Sequence, residues 1–253
     1  SSTTNFNQLL SYSTVFCQDH SIEALVGHEF YKYYYTYLAG QKTNFFDESN
    51  PELDNGGEMQ TISSYTSSHN IEGYFAKADY NYAHKYYLSG AVRRDGTSRF
   101  LDRWGTFWSV GGAWRISSEA FMADAKWIND LKLRASYGTQ GNEDLLNYTP
   151  YVDQYTVTWD GSQLGTAYHF YGNPDLTWEK QKTFDVGIDF RLFDRVYGSI
   201  DYFRRRTDDM LFRRNLPISA GRPYNWENLG AMRNTGIEVD LSVDIIKKKN
   251  VTW

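Results

Sequence analysis

The sequence predicts an all-β fold, specifically part of an antiparallel transmembrane β-barrel. Three observations favour this fold: long segments in which apolar and polar residues alternate, connections that alternate between short and long, and an unusual composition. Aromatic residues make up 17% of the 253 residues, yet the mean hydropathy is −0.62. A barrel strand needs an apolar side chain only at every second position, which reconciles these two values. On composition alone, a soluble aromatic-rich β-sandwich fits equally well.

The clearest alternation lies in three segments, 130–138, 182–192 and 234–245. In the last of them, Ile237, Val239 and Leu241 alternate with polar or charged residues, which is the two-residue period of a strand with two different faces. These segments are longer than the roughly 5–6 residues of an ordinary strand. They match the roughly 9–11 residues that a tilted membrane strand needs.

The predicted strands follow one another with connections of alternating length. In chain order, they are 3–16, 21–30, 69–82, 86–94, 105–116, 130–138, 180–192, 196–207, 231–246 and a last strand from 251 on. The short connections are Cys17–His20, Ala83–Lys85, Phe193–Arg195 and Lys247–Asn250, and the long ones are Tyr31–Ser68, Asp95–Trp104, Thr139–Glu179 and Thr207–Gly230. Ser117–Asn129 is of medium length and reads as a capped helical turn. Short turns at one rim and long loops at the other are typical of bacterial outer-membrane barrels.

Tyrosine placement agrees with a membrane barrel. Tyr80, Tyr82, Tyr86 and Tyr87 flank one short turn, and Tyr202 and Phe203 lie in another strand. Rings at the two membrane interfaces would form aromatic girdles. The alternative is ordinary aromatic pairing between neighbouring strands.

About ten strand segments with free edges cannot be stable alone in lipid, because unpaired backbone groups are costly there. There is no signal peptide, and both ends of the sequence look cut. We therefore expect a piece of a longer protein. No run of about 20 apolar residues is present, so a helical membrane protein is excluded.

Several motifs occur in an order that resembles a known family. They are Arg93–Phe100, Arg103–Phe107, Trp114–Ser117, Asn129–Gly138 with Gly141 and Asn142, Asn173–Glu179 and Met232–Glu238. Together they resemble the barrel of the SusC/RagA family, which are TonB-dependent transporters of Bacteroidetes-type bacteria. The resemblance covers roughly residues 70–253. Trp108 departs from the family's usual proline, and residues 1–69 match only in general style.

The resemblance implies a barrel of about 22 strands with a plug domain in its lumen. It makes residues 1–253 part of the barrel domain and places the plug and the remaining strands outside this chain. It also implies a bacterial outer-membrane location, a SusD-like surface lipoprotein as partner, and the TonB complex acting through parts that this chain lacks. The substrates implied are mainly oligosaccharides, with peptides as a second class.

No pattern predicts catalysis, a cofactor or a metal site. Cys17 and His20 could share a metal, and the acidic residues of 47–58 could bind calcium, but neither spacing matches an established site. The net charge of −5 and the lack of a basic run argue against nucleic acid as a partner.

The two longest loops hold the candidate substrate or partner contacts. These candidates are Tyr155, Trp159, Tyr168, Tyr171, Arg213, Arg222, Tyr224 and Trp226. Aromatic faces stack on sugar rings, and guanidinium groups bind hydroxyls or carboxylates. The alternatives are packing between loops and contact with the capping lipoprotein.

The favoured function is nutrient import, and the rivals are a soluble carbohydrate-binding module or β-rich hydrolase and a passive porin. The direction of the apolar strand faces discriminates between them. A transporter exposes Phe184, Val186, Ile188, Ile237, Val239 and Leu241 to lipid. A soluble module buries them against a second sheet.

Overall fold

The computed structural model describes residues 1–248 and 251–252. Within these residues the chain consists of strands joined by turns and loops. The strands are β1 Ser2–Phe16, β2 His20–Phe45, β3 Gly56–Tyr82, β4 Tyr86–Thr97, β5 Trp104–Arg115, β6 Ile128–Asn142, β7 Gln154–Asp160, β8 Gln163–Phe170, β9 Glu179–Leu192, β10 Val196–Asp208, β11 Leu211–Asn215, β12 Tyr224–Asn228, β13 Ala231–Val243, β14 Lys247–Lys248 and β15 Val251–Thr252. Four short 3-10 turns lie at Leu53–Asn55, Ile116–Ser118, Ala120–Met122 and Ile218–Ala220. In the part of the chain described, we find no helix with the length and apolarity needed to cross a membrane.

Nine strands form one antiparallel sheet in the order β1-β2-β3-β4-β5-β6-β9-β10-β13. Each strand pairs with the next one along this series, so the sheet is a simple meander. The hairpin β7–β8 is inserted between β6 and β9, and the hairpin β11–β12 between β10 and β13. Both insertions leave the sheet at the rim that carries the long connections. The all-β, antiparallel prediction is confirmed.

The strand register gives the sheet two chemically different faces. Ile188 lies opposite Ile200, which lies opposite Val239, so these side chains form one row on the same face. This face is open to the surroundings: Ile237, Val239 and Leu241 are 70%, 66% and 62% exposed. No second sheet covers this face in the described residues, which excludes a sandwich. We call it the outward face.

The apolar band crosses the register rows diagonally. The row through Ile188 and Val239 lies mid-strand in β9 and β13, but the same row ends at the turn-side tips of β1 and β2, at Phe16 and His20. Barrel strands are tilted by roughly 35–45° from the barrel axis. A row of residues perpendicular to the strands therefore changes its depth in the membrane from one strand to the next. The diagonal position of the apolar band is therefore the one expected for tilted strands of a barrel.

Aromatic rings collect on the outward face at both ends of the band. Near the short turns, Tyr86 stacks between Tyr82 and Trp114, with ring centroids 6.2 and 6.5 Å away. At the other end, Tyr74 lies 6.2 Å from Trp104. Most of the predicted girdle residues lie there, but Phe203 and Tyr87 do not, and Phe203 faces inward next to Tyr202. Tyr87 alternates to the inward face, where the Lys132 ammonium lies 5.3 Å from its ring centre.

The inward face is polar and held by ion pairs. Arg134 bridges Asp189 at 3.0 Å and Asp201 at 2.5 Å, which links β6, β9 and β10. Arg93 joins Glu29 at 2.8 Å and Asp95 at 2.7 Å. Charged side chains of this kind suit a wet or plugged lumen. They would be costly in the dry space between the two sheets of a sandwich.

The short turns at the opposite rim are tight. In each of three turns, two successive non-glycine residues have positive φ, namely Cys17 with Gln18, Ala83 with His84, and Phe193 with Asp194. This geometry matches the twist of paired strands and is typical of two-residue hairpins. Turn amides find side-chain acceptors, as where Asn129 Oδ1 accepts a hydrogen bond from the Asp194 amide at 2.6 Å. The predicted short connections 17–20, 83–85 and 193–195 are confirmed.

Three predicted boundaries were wrong. Most of 31–68 is not a loop, because β2 runs to Phe45 and β3 begins at Gly56. Tyrosine at 31, 33, 35 and 37 alternates there with Lys32, Tyr34 and Thr36, so this part of β2 lacks the continuous aliphatic row that identified the other strands. The 117–129 connection forms two 3-10 turns without side-chain caps. The last sheet strand ends at Val243, and part of the predicted connection 247–250 lies outside the described residues.

A charge placed on the outward face tests its lipid exposure. We expect Val239→Arg in the full-length protein to destabilise the barrel by about 2–4 kcal/mol, because the guanidinium would enter the middle of the apolar band. The matched control is Glu238→Arg, one residue earlier and on the inward face. The measurement is reversible urea unfolding in lipid vesicles. Equal losses in both variants would contradict the assignment of the two faces.

Candidate functional site

A buried polar cluster ties three segments together at the loop rim. Glu143 accepts a hydrogen bond from the Thr97 hydroxyl at 2.7 Å, and its other carboxylate oxygen lies 3.2 Å from His69 Nε2. Arg99 donates from Nη1 to the Glu143 carbonyl at 3.0 Å. We call these four residues, His69, Thr97, Arg99 and Glu143, the rim clamp. It joins β3 to the loops that follow β4 and β6.

An apolar cluster lies beside the rim clamp. It contains Phe100, Phe107, Leu145, Leu176 and Trp178, all less than 10% exposed, and we call it the rim core. Trp178 meets Phe107 and Phe100 edge-on at 5.5 and 5.9 Å, and its indole donates to the Arg103 carbonyl at 3.1 Å. Gly141 packs against the Phe107 ring with no room for a Cβ. Long loops carrying their own buried core are held in one arrangement.

The β11–β12 hairpin docks onto this unit. Leu211 and Trp226 pack against the rim core. Asn173 donates to the Trp226 carbonyl at 2.8 Å, and Asn228 donates to the Thr177 carbonyl at 2.8 Å. These bonds satisfy backbone carbonyls that two neighbouring loops would otherwise leave open. The hairpin is thereby fixed over the inward side of the rim.

A cavity of about 900 Å³ opens between this fixed unit and the β2–β3 hairpin. We call it the vestibule. Its walls are mainly aromatic rings, hydroxyls and amides. They comprise Tyr33, Tyr35, Tyr65, Thr66, Ser67, Ser68, Leu146, Asn147, Tyr148, Thr149, Gln154, His169, Arg213, Tyr224 and Trp226. The Arg213 guanidinium lies 4.9 Å from the centre of the Tyr224 ring.

A ladder of tyrosines forms one wall of the vestibule. Tyr33 stacks on Tyr35 at 6.4 Å, Tyr35 lies 5.9 Å from Tyr65, and Tyr65 stacks on Tyr37 at 5.0 Å. Residues 31, 33, 35 and 37 share the inward face because strand side chains alternate. Tyr148 closes the base of the ladder, 6.0 Å from Tyr33 and 5.7 Å from His69 of the rim clamp.

The structure divides the predicted contact residues into three groups. Arg213, Tyr224 and Trp226 line the vestibule. Trp159 does not, since it lies on the β7–β8 hairpin with 69% of its surface exposed. The third group packs within the loops, as the alternative interpretation had it. Tyr168 stacks on Tyr155 and Tyr171 at 4.6 and 4.3 Å, and Arg222 lies over the Tyr171 ring at 5.0 Å.

The contact between Tyr155 and Tyr168 changes the pKa of the Tyr155 phenol. Their hydrogen bond, with a smaller contribution from desolvation, raises the pKa of Tyr155 to about 12. The shift reflects this contact and does not change the protonation state at physiological pH, where an unperturbed tyrosine is also neutral. Tyr155 and Tyr168 are cross-strand partners, so their contact holds the two strands of the β7–β8 hairpin together.

Sequence reasoning missed Tyr33, Tyr35, Tyr65 and His169 as vestibule residues. The available signal was the tyrosine at every second position from 31 to 37, which indicates one aromatic strand face. That signal lay in a segment interpreted as a loop. Tyr65 and His169 join the wall only through strand pairing and loop docking.

The metal alternatives find no support. In residues 1–248 and 251–252, no group of three or more His, Cys, Asp or Glu side chains is placed to hold a metal ion. His20 bonds instead with the Tyr80 hydroxyl at 2.7 Å. In the acidic loop, hydrogen bonds from the Ser49 hydroxyl and amide lower the pKa of the Asp47 carboxyl.

Comparison with known proteins decides the family. A family model described as "TonB dependent receptor-like, beta-barrel" matches residues 1–253. The chain belongs to this family. The match includes the first 69 residues, so it extends further than the sequence motifs indicated. The family is one of outer-membrane receptors rather than enzymes, which places this part of a barrel in the bacterial outer membrane.

Individual relatives agree with this family. TonB-dependent receptor P39 of Formosa agariphila is 31% identical over 248 residues, covering 96% of this chain and 24% of the relative. TonB-dependent receptor SusC of Bacteroides thetaiotaomicron is 31% identical over 209 residues, covering 78% of this chain and 21% of the relative. The chain thus spans about a quarter of the length of these curated relatives.

Solved structures show the same wall. The RagAB peptide importer in its closed-closed state superposes with a TM-score of 0.90 at 28% identity, covering 98% of this chain and 28% of that one. A siderophore receptor, PirA from Acinetobacter baumannii, superposes with a TM-score of 0.59 at 13% identity and shares the fold alone. The SusC/RagA resemblance is confirmed.

Two neighbouring carboxylates test the rim clamp. Arg99 contacts both Glu143, whose side chain is 12% exposed, and Asp144, whose side chain is 85% exposed. We expect Glu143→Ala to cost about 3–5 kcal/mol, because it leaves the Arg99 charge buried without its inner partner. The control Asp144→Ala should cost about 0–1 kcal/mol.

The measurement for this pair is the heat-unfolding midpoint of the full-length protein, together with the rate of proteolytic cleavage within residues 142–154. Fast cleavage in Glu143→Ala alone is expected. If both variants behave alike, the clamp does not hold the loops.

Proposed function

We propose that the protein to which this chain belongs imports large nutrients across the outer membrane, driven by the TonB complex. Oligosaccharides are the favoured substrate class, and peptides are the second. The vestibule is the observation that carries this proposal. It lies at the long-loop rim, opens toward the inward face, and has a volume within the roughly 300–1,000 Å³ range of ligand sites.

The chemistry of the vestibule favours a neutral ligand rich in hydroxyl groups. The tyrosine ladder and Trp226 offer flat apolar faces with polar edges, which suit the faces of sugar rings. Ser67, Asn147 and Gln154 add donors and acceptors that carry no charge. Arg213 is the one side chain with a permanent charge in this lining, so electrostatic selection would be weak.

Peptides remain the second class on two grounds. The RagAB structures, at 28% identity, are those of a peptide importer. In addition, hydroxyl and amide groups can pair with a peptide backbone as readily as with a sugar. Residues on variable loops set substrate choice on a common barrel, so the family alone leaves the two classes open.

We propose two protein partners, a SusD-like surface lipoprotein and the TonB complex. The β7–β8 hairpin supports the first, because it stands away from the main sheet with Val157, Trp159 and Leu164 each more than 60% exposed. Apolar side chains on a free hairpin outside the lipid suit a protein contact. The TonB complex would act on a plug domain outside residues 1–253, which form part of the barrel domain.

The rival functions fit less well. A soluble carbohydrate-binding module would bury the outward face, whereas Ile237 and Val239 are 70% and 66% exposed. A passive porin needs an open lumen without energy coupling, and membership of a TonB-dependent family argues for coupling. In cells, substrate uptake that stops when the proton gradient is dissipated would separate an importer from a porin.

Adjacent tyrosines provide a test of the vestibule. Tyr35 faces inward within the ladder, whereas Tyr34 lies on the opposite strand face. We expect Tyr35→Ala to weaken substrate binding by roughly 2- to 10-fold, the loss of one aromatic stacking contact of about 0.5–1.5 kcal/mol. Tyr34→Ala should bind as the wild type does.

The measurement is calorimetric titration of the full-length protein, with its co-purifying partners, against oligosaccharide and peptide libraries. Binding of peptides alone would replace the favoured class by the second. Identical losses in both variants, or none in either, would reject the vestibule as the binding site.

A further inference from the structure

A group of basic side chains lies on the outward face at the loop-side end of β9, β10 and β13. Lys182, Arg206 and Arg233 form one row, because Arg206 is paired with Lys182 on one side and with Arg233 on the other. Arg204 lies two residues closer to the apolar band, opposite Phe184 and Thr235. We call these four residues the basic patch.

The height of the basic patch is set by the apolar band beneath it. Val186, Tyr202 and Ile237 form the row directly below Arg204, and only apolar residues or glycine follow toward the short turns on this face of β9 and β10. The row of Lys182 lies two residues above Phe184, about 6.6 Å farther along the strand. Charged ends at this level reach the headgroups while their stems cover apolar surface.

The patch carries more positive charge than its carboxylates neutralise. Asp208 accepts from Lys182 at 3.0 Å and from Arg206 at 2.7 Å. Asp209 lies 4.0 Å from Lys180, just above. Among the described residues, neither Arg204 nor Arg233 forms an ion pair. This excess of positive charge is confined to the patch, since the chain as a whole has a net charge of −5.

We propose that the basic patch binds the phosphate groups of the phosphorylated glycolipid in the outer leaflet of the outer membrane. The patch lies on the lipid-facing side of the wall, at the rim that carries the long loops, where that leaflet meets the barrel. Guanidinium groups present forked donors that match phosphate oxygens. Clusters of Lys and Arg beside an apolar membrane surface recognise anionic headgroups in this way.

Continuity with the apolar band selects a lipid rather than a free anion. A phosphorylated glycolipid can lay its acyl chains on Tyr202 and Ile237 while its phosphates meet Arg204 and Arg233. Inorganic phosphate would gain only the charged contacts, which solvent and salt weaken at an exposed site. Simultaneous use of both surfaces is what distinguishes this site from a general basic surface.

The test uses the full-length protein purified in mild detergent and stripped of bound lipid. The probes are the phosphorylated lipid anchor of lipopolysaccharide, the same anchor after enzymatic removal of phosphate, and inorganic phosphate. The variant is Arg204→Gln combined with Arg206→Gln and Arg233→Gln. The matched control is Arg205→Gln, which removes one arginine from the opposite face of the same strand. Bound lipid is counted by native mass spectrometry.

We expect the wild type and Arg205→Gln to retain the phosphorylated anchor, and the triple variant to bind it at least about tenfold more weakly. Removal of phosphate should weaken binding to the wild type to a similar degree. Because Arg206 also pairs with Asp208, the single variant Arg233→Gln, which breaks no ion pair, guards against misfolding and should bind severalfold more weakly. Equal binding of the dephosphorylated anchor, equal binding by the triple variant, or displacement of the anchor by millimolar inorganic phosphate would overturn the proposal.

Discussion

The backbone hydrogen bonds of the nine-stranded sheet are the constraint on which the rest of this structure depends. In lipid, an unpaired amide or carbonyl has no water to bond with, so each membrane strand must be paired along its length. The pairing fixes register, and register assigns every side chain to one of two faces. Val239 and Glu238 are neighbours in sequence, yet one meets lipid and the other the lumen. The apolar band, the aromatic girdles and the ion pairs of Arg134 all follow from that alternation.

Where the wall rises beyond the lipid, the chain is freed from this constraint, and its chemistry changes. Strands β2 and β3 continue past the membrane, and tyrosines follow Glu23 and Glu29 along the inward face of β2. The loops above β5 and β6 instead acquire a small core of their own around Trp178 and a buried clamp around Glu143. A fixed unit on one side and a tyrosine-lined hairpin on the other leave the vestibule between them. The vestibule, which we propose as the substrate-binding surface, is thus built outside the part that the membrane dictates.

The outward face has a second chemical level above its apolar band. Arg204, Arg206 and Arg233 alternate with inward residues as their apolar neighbours do, so the register that exposes Ile237 also places these guanidinium groups on the outward face. The lipid site that we propose therefore uses one face, with the acyl chains and the phosphates on consecutive rows. The vestibule and the basic patch lie on opposite faces of the sheet and are formed by different residues.

The sequence by itself determined the fold class, the sheet strands of 69–243 to within a few residues, the short turns and the family. Two-residue periodicity survives in any context where one face meets lipid, so these elements could be predicted locally. The sequence also placed Arg213, Tyr224 and Trp226 among the candidate contacts. Only the tertiary structure decided that Tyr155, Tyr168, Tyr171 and Arg222 pack among themselves and that Tyr35 and Tyr65 face the vestibule. The reason is that loop docking joins residues far apart in sequence, through contacts such as Glu143 with His69, which no local period records.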